Sequence, residues 1–112
     1  YNGVTMLATG DMDENGENAV IARYRANQTV LRSDILKVGH HGSKTSTSEQ
    51  FLNYVNPSVS VIQVGKNIYG HPTPETLSRL EQSGSAIYRN DAQGAIGIQT
   101  KCNKLSSIYV IY

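Results

Sequence analysis

The stretch DILKVGHHGSKTS, residues 34–46, runs from apolar residues into two adjacent histidines, a glycine and a string of hydroxyl side chains. The chain has three histidines, and two of them stand here side by side. Ile35, Leu36 and Val38 mark DILKVG (34–39) as a strand. Adjacent residues on an extended backbone point to opposite faces, so His40 and His41 can share a site only if the chain turns between them. Gly39 and Gly42, on either side, make such a turn easy. One imidazole is then free to bind a metal while the other orients it or contacts a substrate. The loop from Gly42 through Ser43, Thr45 and Ser46 leads to a helix start and offers backbone N–H groups and hydroxyls to a phosphate. The plainer alternative is a polar turn with incidental histidines, since hydroxyl-rich helix starts are ordinary.

Strands and helices alternate on either side of this stretch. VTMLAT (4–9) reads as a short buried strand that ends at Gly10-Asp11. MDENGENAVIARYRA (12–26) continues as a helix, with Val20 and Tyr24 four apart and Asp13, Glu14 and Glu17 suited to its positive end. STSEQFLNYV (46–55) has Ser46 and Glu49 at capping-box spacing and Phe51 and Val55 on one face, and Asn56-Pro57 stops it. SVSVIQV (58–64) is rich in β-branched residues and reads as a strand. Thr73 and Pro74 predict a helix start, Leu77 and Leu80 its buried stripe, and Gly84 its end. AIYR, GAIGIQT and SIYVIY (107–112) read as strands, joined by NDAQG and KCNKLS, which are loop-like in composition. The order implies a layered α/β or α+β domain.

The 112 residues suit one small domain or a piece of a larger protein. The opening YNGVTML lacks an initiator Met and enters almost directly into a strand, as a fragment or processed chain would. Ten basic and nine acidic residues leave a net charge of +1, so the chain has no strong pull toward nucleic acid or anionic membrane. A bound metal would supply positive charge for a phosphodiester instead. One cysteine, Cys102, excludes a disulfide framework within the chain and a cysteine-based zinc finger. No apolar run reaches the length of a membrane span.

Two further positions bear on chemistry. Asp11 follows a buried strand, where open sheets place ligand sites, and Gly10 lets the backbone turn its carboxylate inward. A carboxylate there is a hard ligand able to bridge two ions, although capping the following helix is the commoner use. In GKNIYGHPTPETL, Pro72 and Pro74 stiffen the loop around His71, which is either a general acid, a substrate contact or a surface histidine in a turn. Cys102 has no histidine after it in the chain and is read as incidental, and the seven tyrosines scatter as sheet-packing residues do.

In order and spacing, MLATGDM, DILKVGHHGSKTSTSEQFL and YGHPTPETLSRL resemble the metallo-β-lactamase superfamily, and most closely the C-terminal hydrolase domain of the ComEC competence proteins, a DNA-uptake channel family. The likeness covers about positions 3 to 99. It implies an α+β, four-layered αββα sandwich of which this chain is the C-terminal half. It also implies a site for two divalent ions, zinc or manganese. Carried over, Asp11 resembles the metal-bridging aspartate and His41 the last histidine ligand. His40 is then a substrate-facing or supporting group, His71 lies at the rim of the cleft, and Ser43 and Thr45 belong to a phosphate-binding loop. His40 or His71 would protonate the leaving group.

The superfamily's His-x-His-x-Asp-His cluster is absent, as is a further histidine ligand. A catalytic zinc usually has three protein ligands, so the chain by itself is expected to bind metal poorly and to lack activity. The implied partners are DNA or another phosphodiester, and the N-terminal half of the domain. A second copy of the chain would serve if the open sheet face drives dimerisation. The implied location is a soluble domain of a bacterial membrane protein, at the cell surface or periplasmic side. A cell-wall phosphocholine esterase of the same fold is an alternative enzyme, and a non-catalytic domain binding DNA or a partner is the alternative of another class.

Overall fold

The computed structural model describes residues 3–102 and 104–111. Four short strands, β1 (Met6–Ala8), β2 (Ile35–Lys37), β3 (Val59–Ile62) and β4 (Ala86–Arg89), form one parallel sheet in sequential order. Helices α1 (Glu14–Tyr24), α2 (Glu49–Val55) and α3 (Pro74–Gln82) make the crossovers between them. A single helical turn, α4 (Asn90–Gln93), leads to an antiparallel hairpin of β5 (Ala95–Lys101) and β6 (Lys104–Ile111). The class is mixed α/β. Helices cover one face of the parallel sheet and the hairpin packs on the other.

Period-two alternation explains the two cores. On the helix side, Leu36 and Ile62 pack with Ile21 of α1, Phe51, Leu52 and Val55 of α2, and Leu80 of α3. On the other side, Ile35 and Val59 meet Val4, and the hairpin residues Ile98, Leu105 and Ile108 close over them. This second cover is partial, for Met6 of β1 stays 57% exposed. Among the described residues no helix is long and apolar enough to cross a membrane.

Several boundaries differ from the sequence reading, each for a local reason. The first strand is only Met6–Ala8. Helix α2 is capped by Ser48, whose hydroxyl accepts from the Phe51 N–H, and not by Ser46. Thr47 has φ +56°, which bars a helix from passing through it, and the Ser46 hydroxyl instead donates to the carbonyls of Gly39 and Ser43. The NDAQ stretch is not a loop but the helical turn α4, closed by the Gly94 N–H on the Asn90 carbonyl at 2.9 Å. Much of the stretch expected as a loop at KCNKLS is strand, with Lys101 of β5 paired with Lys104 of β6, and Cys102 follows β5 at φ +50°. The last residue of the expected final strand, Tyr112, lies outside the described residues.

Asp34 joins the starts of the first three strands. One carboxylate oxygen accepts the Thr5 N–H at 2.8 Å and the Thr5 hydroxyl at 2.9 Å. The Asp34 N–H returns a bond to the Thr5 hydroxyl at 3.1 Å. The Asp34 carbonyl accepts from the N–H groups of Val59, which begins β3, and of Ser58, just before it. The Thr5 N–H, followed by the hydroxyl, holds the Asp34 carboxyl below the usual carboxylate range despite some burial. Its contribution to stability is therefore complete above the ordinary value of about 3.9 and fades as pH falls through the lower, folded-state value. Asp34→Ala should cost about 1 kcal/mol at pH 7. In urea titrations the gap between wild type and variant should narrow below about pH 4; a gap that stays constant down to acid pH would contradict this account.

Candidate functional site

Parallel sheets place their ligands outside the carboxyl ends of the strands, and the paired histidines stand there, just past β2. The turn is made differently from the sequence reading. The histidines themselves are left-handed, His40 at φ 47°, ψ 41° and His41 at φ 55°, ψ 23°, and Gly42 continues at φ 82°. That region disfavours residues with a Cβ by about 1–2 kcal/mol each. Bonds from three directions hold the turn. The His40 N–H donates to the Gly10 carbonyl at 2.8 Å, and the Ser46 hydroxyl donates to the Gly39 carbonyl at 2.9 Å. The Thr73 N–H donates to the Gly42 carbonyl at 2.9 Å.

The flanking glycines serve mainly for close approach. A Cβ on Gly39 would lie 2.8 Å from the Thr9 hydroxyl, and one on Gly42 would lie 2.6 Å from the Pro72 Cβ. Gly39 thus lets the turn meet the loop after β1, and Gly42 lets it meet the loop before α3.

The result is a cavity of about 580 Å³ that takes in His40, His41, Ser43 and His71. The His41 Nδ1 lies 2.7 Å from the Gln63 carbonyl. A carbonyl only accepts, so Nδ1 carries the hydrogen, and in the neutral ring Nε2 keeps the lone pair. The His71 Nδ1 meets the His40 carbonyl at 3.3 Å, with the same consequence. The His40 Nδ1 is buried with no hydrogen-bond partner, and its ring centroid stands 5.8 Å from that of His71. Burial, then the positive charge that His40 and His41 can carry, push the His71 pKa below the usual histidine value.

The other sequence candidates fall nearby but outside this lining. Asp11 is exposed in the turn after β1, beside the Gly10 carbonyl that receives the His40 N–H. Helix α1 is capped by Asp13, whose carboxylate accepts the Gly16 N–H at 3.0 Å, so capping does not occupy Asp11. The Thr45 hydroxyl bonds that of Ser43 at 3.0 Å, and Thr45 lines a separate groove with Lys44, Glu75 and Arg79. Residues the sequence reading missed are Lys66, Asn67 and Tyr69, which complete the cavity wall. Their only signal was the Gly-flanked run GKNIYG.

His41 fits a divalent ion in one respect: a carbonyl on Nδ1 is how ligating histidines are oriented, leaving Nε2 to the metal. Asp11 is a carboxylate on the loop after β1 and does not line this cavity. Among the described residues no group of three or more His, Cys, Asp or Glu side chains is placed to hold an ion. A complete site therefore needs donors beyond these two.

Two outcomes test this geometry. Gly42→Ala should destabilise the chain by more than about 1 kcal/mol in urea, because it meets both an unfavourable φ and the Pro72 ring. By NMR titration His71 should protonate below pH 6.5, and His40→Gln should move it upward by removing a neighbouring charge. A His71 midpoint unmoved by that variant would refute the coupling.

No protein-family model matches the chain. Over 95 residues, 84% of its length, it is 41% identical to Competence protein ComA of Neisseria gonorrhoeae. It is 36% identical over 100 residues, 88% of its length, to ComE operon protein 3 of Bacillus subtilis. It is 37% identical over 95 residues, 84% of its length, to Recombination protein 2 of Haemophilus influenzae. The chain spans only 13%, 12% and 11% of these relatives' own lengths.

Proposed function

We propose that this chain, homologous over most of its length to one segment of competence proteins, forms part of a metal-dependent phosphodiesterase or nuclease site in a DNA-uptake protein. The observation that carries the reading is the 39–42 turn. Its strained backbone is kept where it gathers three histidines at the strand ends, and strain of this kind clusters at functional sites. The finer identification, the second half of a metallo-β-lactamase-like αββα domain, is part of the same proposal. It is supported by the order of the GD, HHGS and GHP motifs. The domain would sit outside the bilayer on a membrane-anchored parent.

In this reading Asp11 and His41 hold zinc or manganese, and the remaining donors come from residues outside this chain. A divalent ion bound there would polarise a phosphoryl oxygen and lower the pKa of a bound water. The Gln63 carbonyl keeps the His41 ring in its ligating tautomer. Ser43 and Lys66, both in the lining, offer a hydroxyl and a positive charge to the phosphate. Burial and the neighbouring histidines lower the His71 pKa and so favour its neutral form, whose Nε2 carries no proton of its own. Of the roles set out for it, this favours substrate contact over that of general acid. His40 packs beside His71 and lends its carbonyl to it.

In the parent protein, Asp11→Ala and His41→Ala should each lower metal content. Each should also cut hydrolysis of a chromogenic phosphodiester by more than the 10–100-fold typical of outer-sphere changes, to on the order of 1% or less. His40→Ala should reduce turnover more than metal content. Full activity in both the Asp11 and His41 variants would end the assignment, and equal metal loss in the His40 and His41 variants would end the division of roles.

A further inference from the structure

Apart from Lys66, the segment 65–70, GKNIYG, has no part in the chemistry above, yet it walls the cavity on one side. Ile68 is 94% exposed and Tyr69, which lines the cavity, is 77% exposed. Slack in the loop does not account for it. The Asn67 side chain donates to the carbonyls of Gly65 (3.0 Å) and His71 (2.9 Å) and accepts from the N–H groups of Tyr69 (3.1 Å) and His71 (3.0 Å). Those four bonds use the full capacity of an amide. The loop is thus closed around Asn67, and Ile68 and Tyr69 are held outward by a satisfied polar frame.

Tyr69 also meets His71. Its ring stands edge-on to that of His71, with centroids 5.9 Å apart and planes at 79°. Lys66 lines the same cavity, and among the described residues no carboxylate lines it. An exposed aromatic ring and a cation lining one cavity suit a ligand that carries a flat ring and a phosphate. Base–aromatic stacking needs a free base face, which a paired duplex base does not offer.

We infer that Tyr69 is a stacking platform for an unpaired nucleobase and that Lys66 takes the adjoining phosphate, so that the site receives single-stranded rather than duplex nucleic acid. The inference rests on the phosphodiester reading of the cavity, but not on the metal.

The test uses the whole 112-residue chain with a fluorescein-labelled thymidine dodecamer, read by anisotropy in EDTA, with circular dichroism to confirm folding of each variant. Tyr69→Ala should weaken binding by about 5- to 150-fold, and Tyr69→Phe should stay within about twofold. An abasic dodecamer should bind wild type as weakly as the thymidine dodecamer binds Tyr69→Ala. Lys66→Ala should lower the slope of log affinity against log salt by about 0.7. The inference is overturned if wild type does not bind the strand, if a duplex binds as tightly, or if folded Tyr69→Ala binds like wild type. Because EDTA removes divalent ions, such a failure leaves the metal-dependent reading to its own hydrolysis test. Conversely, unchanged hydrolysis in the Asp11 and His41 variants would leave a Tyr69 effect on binding intact.

Discussion

The arrangement of the site depends on the hydrogen bonds made by residues 40–42 to the loops after β1 and β3. The His40 N–H reaches back to Gly10, the His40 carbonyl receives His71, and the Gly42 carbonyl receives Thr73. The His41 ring reaches the Gln63 carbonyl at the end of β3. Each bond lies at the carboxyl end of a neighbouring parallel strand, so one short turn sets the spacing of the loops that carry Asp11, His41 and His71. Two consecutive left-handed non-glycine residues are costly in isolation. They persist because every direction around them is already tied.

The hydroxyl-rich segment after the histidines is the scaffold behind that turn. Glu17 of α1 is 1% exposed, and its carboxylate accepts the N–H groups of Thr47 and Ser48. A buried carboxylate is tolerable only with such donors. Thr76 donates to the Ser43 carbonyl at 2.9 Å, and Arg79 reaches the Ser46 carbonyl at 2.9 Å. Side chains from α1 and α3 therefore hold residues 43–48 from both sides. Most hydroxyls of the segment are occupied by the fold, and only Ser43 reaches the cavity.

The two faces of the parallel sheet are unequal. The helix face is sealed, with Leu36, Val55, Ile62 and Leu80 fully buried. The hairpin face is lined more thinly and leaves Met6 largely in water. The helix face is where the stability of the chain resides, at about 1.5–3 kcal/mol for each large apolar side chain taken out of water. The loops at the strand ends are built on that face and inherit its rigidity.

Much of this was legible in the sequence because the signals are local. Alternating β-branched residues marked β3, Thr73-Pro74 marked the start of α3, and the histidine pair at the end of an apolar run marked the turn that lines the cavity. Proximity in sequence was enough, since each pattern concerns backbone geometry within a few residues. What the tertiary structure alone decided was set by partners about 20 to 30 positions away: the left-handed turn held by Gly10, the tautomer of His41 set by Gln63, and the burial of Glu17 against Thr47. The helix-like front end of α1 gave no hint that Glu17 would leave solvent. Residue types and spacing carry the period of a strand or helix, but not which distant carbonyl will stand opposite a given donor once the sheet has assembled.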